Sequence, residues 1–372
     1  MQKKIKGDKK MNIIFTGGGT GGHLYPAIAV ARALKAEDSN NKILFVGNEN
    51  GIESTIVPKE GFDIKFVKCS SFSSNPVKLI KGLWNVASGV FESLSIISKF
   101  KPDLIVGSGG YVSAPVTFAG SLKKIPVVLL EQNTISGKTN RFIGKFAKKI
   151  CISFEGSAES FPKEKTVFTG NPVRDDIISA DREESRKELN IKQDQFCILV
   201  TGASQGAKSI NTGIIECLKK WKDRDITIIH LTGEKNWEDI KKATEDLTKD
   251  SKIDYRPIAY MNNIAAAYAS CDLVIARAGA TTLAEISDRG IPAILIPYPH
   301  AAEDHQKKNA LFFEERNAGI EIDDDKIQEK LISTIETLIS DREKLNSMGK
   351  SCKKLGKPNA VFEILKVLKE IK

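Results

Sequence analysis

The amino-acid sequence predicts an α/β protein of two Rossmann-like domains facing a cleft. Three observations carry this. At 372 residues the chain exceeds one ordinary hydrophobic core. Short apolar runs alternate with amphipathic stretches along both halves, as in a parallel sheet with crossover helices. The same device, a strand, a glycine loop and a helix, occurs at Ile13–Ala36 and again at Phe196–Trp221.

The first device is the apolar run Ile13-Ile14-Phe15, the loop Gly17-Gly18-Gly19-Thr20-Gly21-Gly22 ending in His23, and a helix over Tyr25–Ala36. Five glycines in six positions let the backbone turn tightly and present N–H groups, and the helix adds its positive end. Such a loop suits a phosphate or diphosphate. Gly17, Gly19 and Gly22 satisfy the bare dinucleotide spacing, but the second strand runs into Gly47-Asn48 where that fingerprint needs an acid. No Lys-Ser/Thr follows, so this is not a P-loop. Strands follow at Ile43–Val46, Ile64–Val67, Leu104–Val106, Val127–Leu130, Ile150–Ser153 and Thr166–Phe168. Gly107–Tyr111 and Glu131-Gln132-Asn133 are further strand-end loops, where ligands of such sheets sit.

Gly170-Asn171-Pro172-Val173-Arg174 precedes a charged run and marks a boundary, giving domains at 11–173 and 174–355. The second half has strands at Phe196–Thr201, Ile226–Leu231, Asp254–Pro257, Leu273–Ala276 and Ala293–Ile296. Gly202–Gly206 repeats the glycine loop. Short helices are expected at Met261–Ser270 and through Glu285, then two segments near Lys326–Arg342 and Ala360–Glu370. The last, within 356–372, could cross back to the first domain; sequence alone leaves that open.

Composition narrows the function classes. A 41 % hydrophobic content supports a folded chain, and no run approaches the ~18 apolar residues of a membrane span. Residues Met1–Lys10 hold five lysines and no apolar segment, and read as a disordered basic extension rather than a signal peptide. Six scattered cysteines argue against a disulfide framework and a zinc site. Residues 1–173 hold 24 basic and 13 acidic side chains, a net of +11, against −2 for the remainder. A cationic first half suggests an anionic surface or partner: nucleic acid, for which no recognised motif is present, or anionic lipid as its rival.

Several residues could carry chemistry. His23 could accept a proton or merely cap a helix. Arg174 could pair with phosphate oxygens or with Asp175 or Asp176. Glu285 could accept hydrogen bonds from two vicinal hydroxyls, or simply stabilise a helix start, with Thr281 and Thr282 capping or touching ligand. His300, Glu303, Asp304, His305 and Gln306 suit sugar hydroxyls better than a metal, since their spacing matches no known metal site. Glycine loops and an arginine can neutralise a leaving diphosphate, so no obligatory metal or other cofactor is expected. Asn75–Phe100, with an expected core stripe at 80, 83/84, 87, 90/91, 94 and 97, and Lys138–Lys149, with five basic residues among Phe142, Ile143 and Phe146, suggest a membrane-facing surface; a buried helix and a solvated one are the alternative.

In this order, Gly17–His23, Gly109-Gly110-Tyr111, Glu131–Asn133, Gly170–Arg174, Gly202–Gly206, Arg277-Ala278-Gly279-Ala280-Thr281 with Glu285, and Asp304-His305-Gln306 with Asn309 resemble the undecaprenyldiphospho-muramoylpentapeptide β-N-acetylglucosaminyltransferases, the MurG family, over residues 11–365. The resemblance implies a B-type glycosyltransferase fold and inverting transfer of N-acetylglucosamine from UDP-N-acetylglucosamine to the C4 hydroxyl of lipid I, giving lipid II and UDP. It implies a donor site of Arg174, Ser204, Gln205, Gly206, Met261, Arg277, Ala280, Thr281, Thr282, Glu285, His305 and Gln306, approached by Thr20, Gly21, Gly22 and Asn133. The acceptor site would comprise Gly18, Gly19, Thr20, Gly21, Gly22, His23, Gly109, Gly110 and Tyr111, with His23 and Asn133 catalytic. Implied partners are anionic lipids of the cytoplasmic leaflet and other cell-wall synthesis proteins, at the inner membrane's cytoplasmic face. Ala278 and His305 depart from residues that family members can carry there. A diacylglycerol glycosyltransferase, a UDP-N-acetylglucosamine 2-epimerase and a non-catalytic nucleotide-sugar-binding protein share this plan and are the rival readings.

Overall fold

The structure, a computed structural model, describes residues 10–70, 76–203 and 206–371, and the side chains of 76–81 and 83 lie outside it. The expected basic extension falls outside the described residues except for Lys10, as do Ser204 and Gln205. The chain forms two compact units, one of Met1–Pro172 with Asn359–Lys372, the other of Val173–Pro358.

In the first unit, strands β1 (Asn12–Thr16), β2 (Lys42–Gly47), β3 (Asp63–Phe66), β4 (Leu104–Gly107), β5 (Val127–Glu131), β6 (Lys149–Ile152) and β7 (Thr166–Phe168) form one sheet. Their order is β3-β2-β1-β4-β5-β6-β7, with every pair parallel. Strand residues alternate between faces, so Ile13 and Phe15 pack on one side and Ile14 on the other. The first face is closed by the helix Gly21–Glu37 and by the C-terminal helix Ala360–Ile371, whose Ile364, Leu365, Val367 and Leu368 are buried there.

The second unit holds β8 (Phe196–Thr201), β9 (Ile226–Leu231), β10 (Asp254–Ile258), β11 (Leu273–Ala276), β12 (Ala293–Leu295) and β13 (Ile320–Glu321). Their order is β10-β9-β8-β11-β12-β13, again all parallel. In both sheets the order reverses once, between β1 and β4 and between β8 and β11. At such a reversal the loops leaving the two strands diverge to opposite faces and open a crevice. The glycine loops stand at these two places.

Three expectations need correcting. The first helix begins at Gly21, not Tyr25, so His23 lies in its first turn rather than at a loop end. The C-terminal region holds an unanticipated helix, Arg342–Leu355, whose Leu345 and Met348 join the core. The helix Pro76–Phe100 buries the expected stripe only in its C-terminal half, where Ile97 is buried and Val90 and Leu94 pack against the core, whereas Trp84 and Phe91 are 76 % and 73 % exposed and Ala87 is exposed too. Its inward face is Gly82, Gly89, Ser93 and Ile97, flanked by the half-buried Val90, Leu94, Ile96 and Phe100. A Cβ at Gly89 would fall 2.0 Å from the Lys68 carbonyl oxygen and 3.3 Å from Pro115. Backbone approaches that closely at Gly89, which leaves no room for a large side chain at that turn.

Candidate active site

The first unit's site is built where β1, β4 and β5 end. Thr20 is the N-cap of the helix Gly21–Glu37; its side chain makes no capping bond and the first turn has no acid. Gly19 and Thr20 are exposed. The positive helix end therefore faces outward, as an anion site requires. Tyr111 closes one side, its ring 3.5 Å from where a Gly19 Cβ would stand.

The loop rests on a residue that sequence reasoning missed. Glu53 is only 1 % exposed, and its carboxylate accepts the Gly19 N–H at 3.1 Å and the Asn48 N–H at 2.9 Å. A Cβ at Gly18 would come within 2.4 Å of its carboxyl carbon. Glycine is thus needed for the loop to close over the carboxylate, which takes the Gly19 amide out of ligand binding. Glu53 sits in no glycine-rich motif, and nothing in the local pattern marks it.

His23 projects from the first helical turn to the end of β5. Its Nδ1 lies 3.0 Å from Gln132 Oε1. Burial holds its pKa below the ordinary value, against opposing effects from Gln132 and the Ser108 backbone. The loop after β4 walls the ring: a Cβ at Gly109 would lie 2.9 Å from Nδ1, and Gly109 has φ +100°. Glycine meets both demands at that position. Glu131 is buried beneath; its carboxylate accepts the Asn133 N–H at 3.0 Å, the Gly137 N–H at 3.3 Å and Asn140 Nδ2 at 3.0 Å. Burial raises its pKa, opposed by these bonds. Asn133 Nδ2 also reaches Glu131 at 3.4 Å, which orients the amide. His23, Gly109, Gly110 and Asn133 are therefore brought to one end of the sheet.

In the second unit, the helix Ala280–Arg289 follows β11 with Gly279 as N-cap, no capping side chain and no acid in its first turn. Ala280, Thr281 and Thr282 form that turn. Glu285 lies one turn further in and accepts the Tyr268 hydroxyl at 2.8 Å. Burial lifts its pKa to about 7, opposed by the Tyr268 bond and by the Arg174 charge. Arg174 caps the helix Asp175–Ser179 and lies 3.6 Å from Asp176. Met261 precedes the helix Ile264–Ser270, near the end of β10.

Arg277 turns inward. It donates to the Ile296 carbonyl at 3.2 Å, the Pro297 carbonyl at 3.0 Å, Ser209 Oγ at 3.0 Å and Asp324. It braces the loops around the helix start rather than presenting its guanidinium to a ligand. Asn309 does similar work, donating to the Ala278 carbonyl at 3.0 Å. His305 and Gln306 open the helix His305–Glu314; His305 Nδ1 lies 2.7 Å from the Ala302 carbonyl, and the Gln306 amide oxygen accepts the Tyr298 N–H at 3.0 Å. Gly206, with φ +70°, keeps the tight turn before the next helix. Tyr268 is a second residue that sequence reasoning missed, hidden in an alanine-rich helix.

Two helix N-termini at sheet reversal points, a carboxylate near an arginine, and a buried imidazole describe a nucleotide-sugar transferase. Residues 13–152 match the model of the glycosyltransferase family 28 N-terminal domain, and residues 197–364 that of the glycosyltransferase family 28 C-terminal domain. The chain is 40 % identical over 368 residues to the UDP-N-acetylglucosamine–N-acetylmuramyl-(pentapeptide) pyrophosphoryl-undecaprenol N-acetylglucosamine transferase of Halothermothrix orenii, covering 97 % of this chain and 99 % of that one. The transferase of the same name from Desulforamulus reducens is 40 % identical over 369 residues, with the same coverage. The crystal structure of Acinetobacter baumannii MurG superposes with a TM-score of 0.76 at 25 % identity, covering 97 % of this chain and 99 % of that chain. The chain belongs to the MurG family of glycosyltransferases, with the two-domain B-type fold. A UDP-GlcNAc 2-epimerase from Neisseria meningitidis shares the fold, with a TM-score of 0.67 at 15 % identity over 97 % of this chain and all of that one.

Proposed function

We propose that the chain transfers N-acetylglucosamine from UDP-N-acetylglucosamine to lipid I, forming lipid II and releasing UDP. Near-full-length identity of 40 % to transferases of that printed activity carries the reading. The acceptor diphosphate would meet the Gly18–Gly22 turn and Gly109–Gly110 in the first unit. The donor would be held in the second: the diphosphate at Gly206 and the helix start Ala280–Thr282, the ribose at Glu285, the uracil at the Met261 backbone and the sugar near His305 and Gln306, with Arg174 on the phosphates. Ser204 and Gln205 belong to the same donor set.

In the reaction, the acceptor C4 hydroxyl attacks the anomeric carbon of the α-linked donor. A β-1,4 bond forms, the bond to UDP breaks, and His23 takes the hydroxyl proton. Asn133 lies beside that centre. Negative charge gathering on UDP is met by Arg174 and the positive helix end, which supply what a metal could otherwise supply. Among the described residues no helix is long and apolar enough to cross a membrane. Trp84, Phe91, Phe142 and Phe146 are exposed, and Lys138, Arg141, Lys145, Lys148 and Lys149 accompany the last two. Basic and aromatic side chains together suit peripheral binding to anionic lipid at the cytoplasmic leaflet.

The test follows UDP release and label transfer from UDP-N-acetylglucosamine to a short-chain lipid I analogue, with EDTA present. Labelled disaccharide-lipid equal to UDP released is expected. UDP release without labelled lipid would refute the acceptor assignment. Conversion of the donor without acceptor would favour an epimerase.

A further inference from the structure

We propose that Gln132 is a positioning residue that fixes the tautomer of His23, leaving Nε2 as the basic nitrogen; this rests on the reading of His23 as the base. Gln132 Nε2 donates to the Leu130 carbonyl oxygen at 3.1 Å, a buried contact. A carbonyl oxygen only accepts, so turning the amide over would set two acceptors against each other. The amide oxygen must therefore be the atom that faces His23 Nδ1 at 3.0 Å. That oxygen also only accepts, so Nδ1 carries the proton in the neutral ring and Nε2 keeps its lone pair.

The surroundings hold this arrangement. Gly109 lies along the Nδ1–Cε1 edge, where any Cβ would come within 3.0 Å, and Gly110 lies 3.5 Å from Cδ2 by the same measure. Charged and titratable groups nearby are engaged elsewhere: Glu131 with Asn133, Gly137 and Asn140, and Glu53 with Gly19 and Asn48. Tyr111 sits against Gly19. A neutral amide rather than a carboxylate thus orients the imidazole, which sets direction without adding a charge beside an anionic acceptor. Gln132 touches neither reacting atom; it acts through His23.

Two measurements on the full-length protein test this. The first is the 15N spectrum of the imidazoles, tractable because the chain has four histidines and His23→Gln assigns the signal. A protonated Nδ1 and an unprotonated Nε2 are expected in the wild type, and loss of that preference in Gln132→Met. The second is the pH profile of transfer. Gln132→Met should lower kcat about 10- to 100-fold, less than the ~10²–10⁴-fold of losing a general base, with the KM for UDP-N-acetylglucosamine within about twofold. Its acid limb should move to lower pH, because an acceptor that supports the imidazolium is gone. Gln132→Glu keeps an acceptor and adds charge, so kcat should largely recover and the acid limb should move to higher pH. A purely structural residue would not shift the limb in opposite directions. A proton on Nε2 in the wild type, or acid limbs equal in both variants, overturns the inference. If His23→Gln keeps wild-type kcat, the base reading falls and takes the catalytic role of Gln132 with it. If His23→Gln abolishes turnover while the wild-type ring is protonated on Nε2, the base reading survives and this inference does not.

Discussion

The proposed ribose contact of Glu285 predicts that UDP binding depends on pH. The Glu285 carboxyl is buried and its pKa stands at about 7, raised from 4.5 chiefly by loss of solvent. The Tyr268 hydroxyl and the Arg174 charge oppose that rise. In the proposed complex the ionised form would accept hydrogen bonds from both ribose hydroxyls, whereas the protonated form has lost part of that capacity. The sign follows: the folded carboxyl holds its proton to higher pH than an exposed one, so binding strengthens as pH rises through about 7. With a pKa of about 7 the ionised fraction falls from about one half at pH 7 to about one eleventh at pH 6, so apparent UDP affinity should fall up to about fivefold over that unit. The same shift means that stability is fully present below the ordinary carboxyl pKa and is partly lost between that value and about 7, since the unfolded chain ionises first. Calorimetric titration of UDP from pH 5.5 to 8.5 reads the effect. Glu285→Gln supplies the slope from titration of the ligand's own phosphate. Tyr268→Phe removes a donor to the ionised form and should move the transition to higher pH. Wild-type affinity that parallels Glu285→Gln across the range would refute the reasoning.

Three further outcomes follow from named contacts. Gly109→Ala places a methyl 2.9 Å from His23 Nδ1 at φ +100°, so kcat should fall at least about tenfold and stability by about 1–3 kcal/mol, read by turnover and thermal melting. Arg186 is fully buried and donates to Ser270, Lys192, Gln193 and Gln195 carbonyls and to Asp272; Arg186→Met should destabilise the second unit by about 3–5 kcal/mol in chemical denaturation. Replacing Trp84 and Phe91 with glutamate should weaken sedimentation with anionic vesicles about tenfold or more per aromatic, while UDP binding stays as in wild type.

Much of the candidate site could be read as loops but not as contacts. The glycine runs, Glu131–Asn133 and the helix bearing Glu285 are each local, and their residue types imply strand ends and phosphate-suited turns. Glu53 could not be found this way. Its role comes from a carboxylate lying beneath a loop 34 residues earlier, which no periodicity records. The resemblance places Arg277 in the donor site; its inward turn depends on Asp324, 47 residues on. In the helix Pro76–Phe100 the periodicity identifies Val90, Leu94 and Ile97 but not the outward Trp84 and Phe91, for a related reason. Apolar periodicity weighs large side chains most heavily, whereas the buried face combines Val90, Leu94 and Ile97 with Gly89 and Ser93, which permit close backbone approach.

By itself, the sequence determined the two parallel α/β sheets, the strand-end positions of the glycine loops and membership of the transferase family. These follow from local hydrophobic period, turn chemistry and ordered motifs. Only the tertiary structure decided that His23 meets Gln132 across 109 residues, that Glu53 supports the Gly18–Gly19 turn, and that Trp84 and Phe91 face outward. Each of these depends on which strand ends become neighbours and how closely backbones approach, and those are properties of the packed sheet rather than of any local stretch of chain.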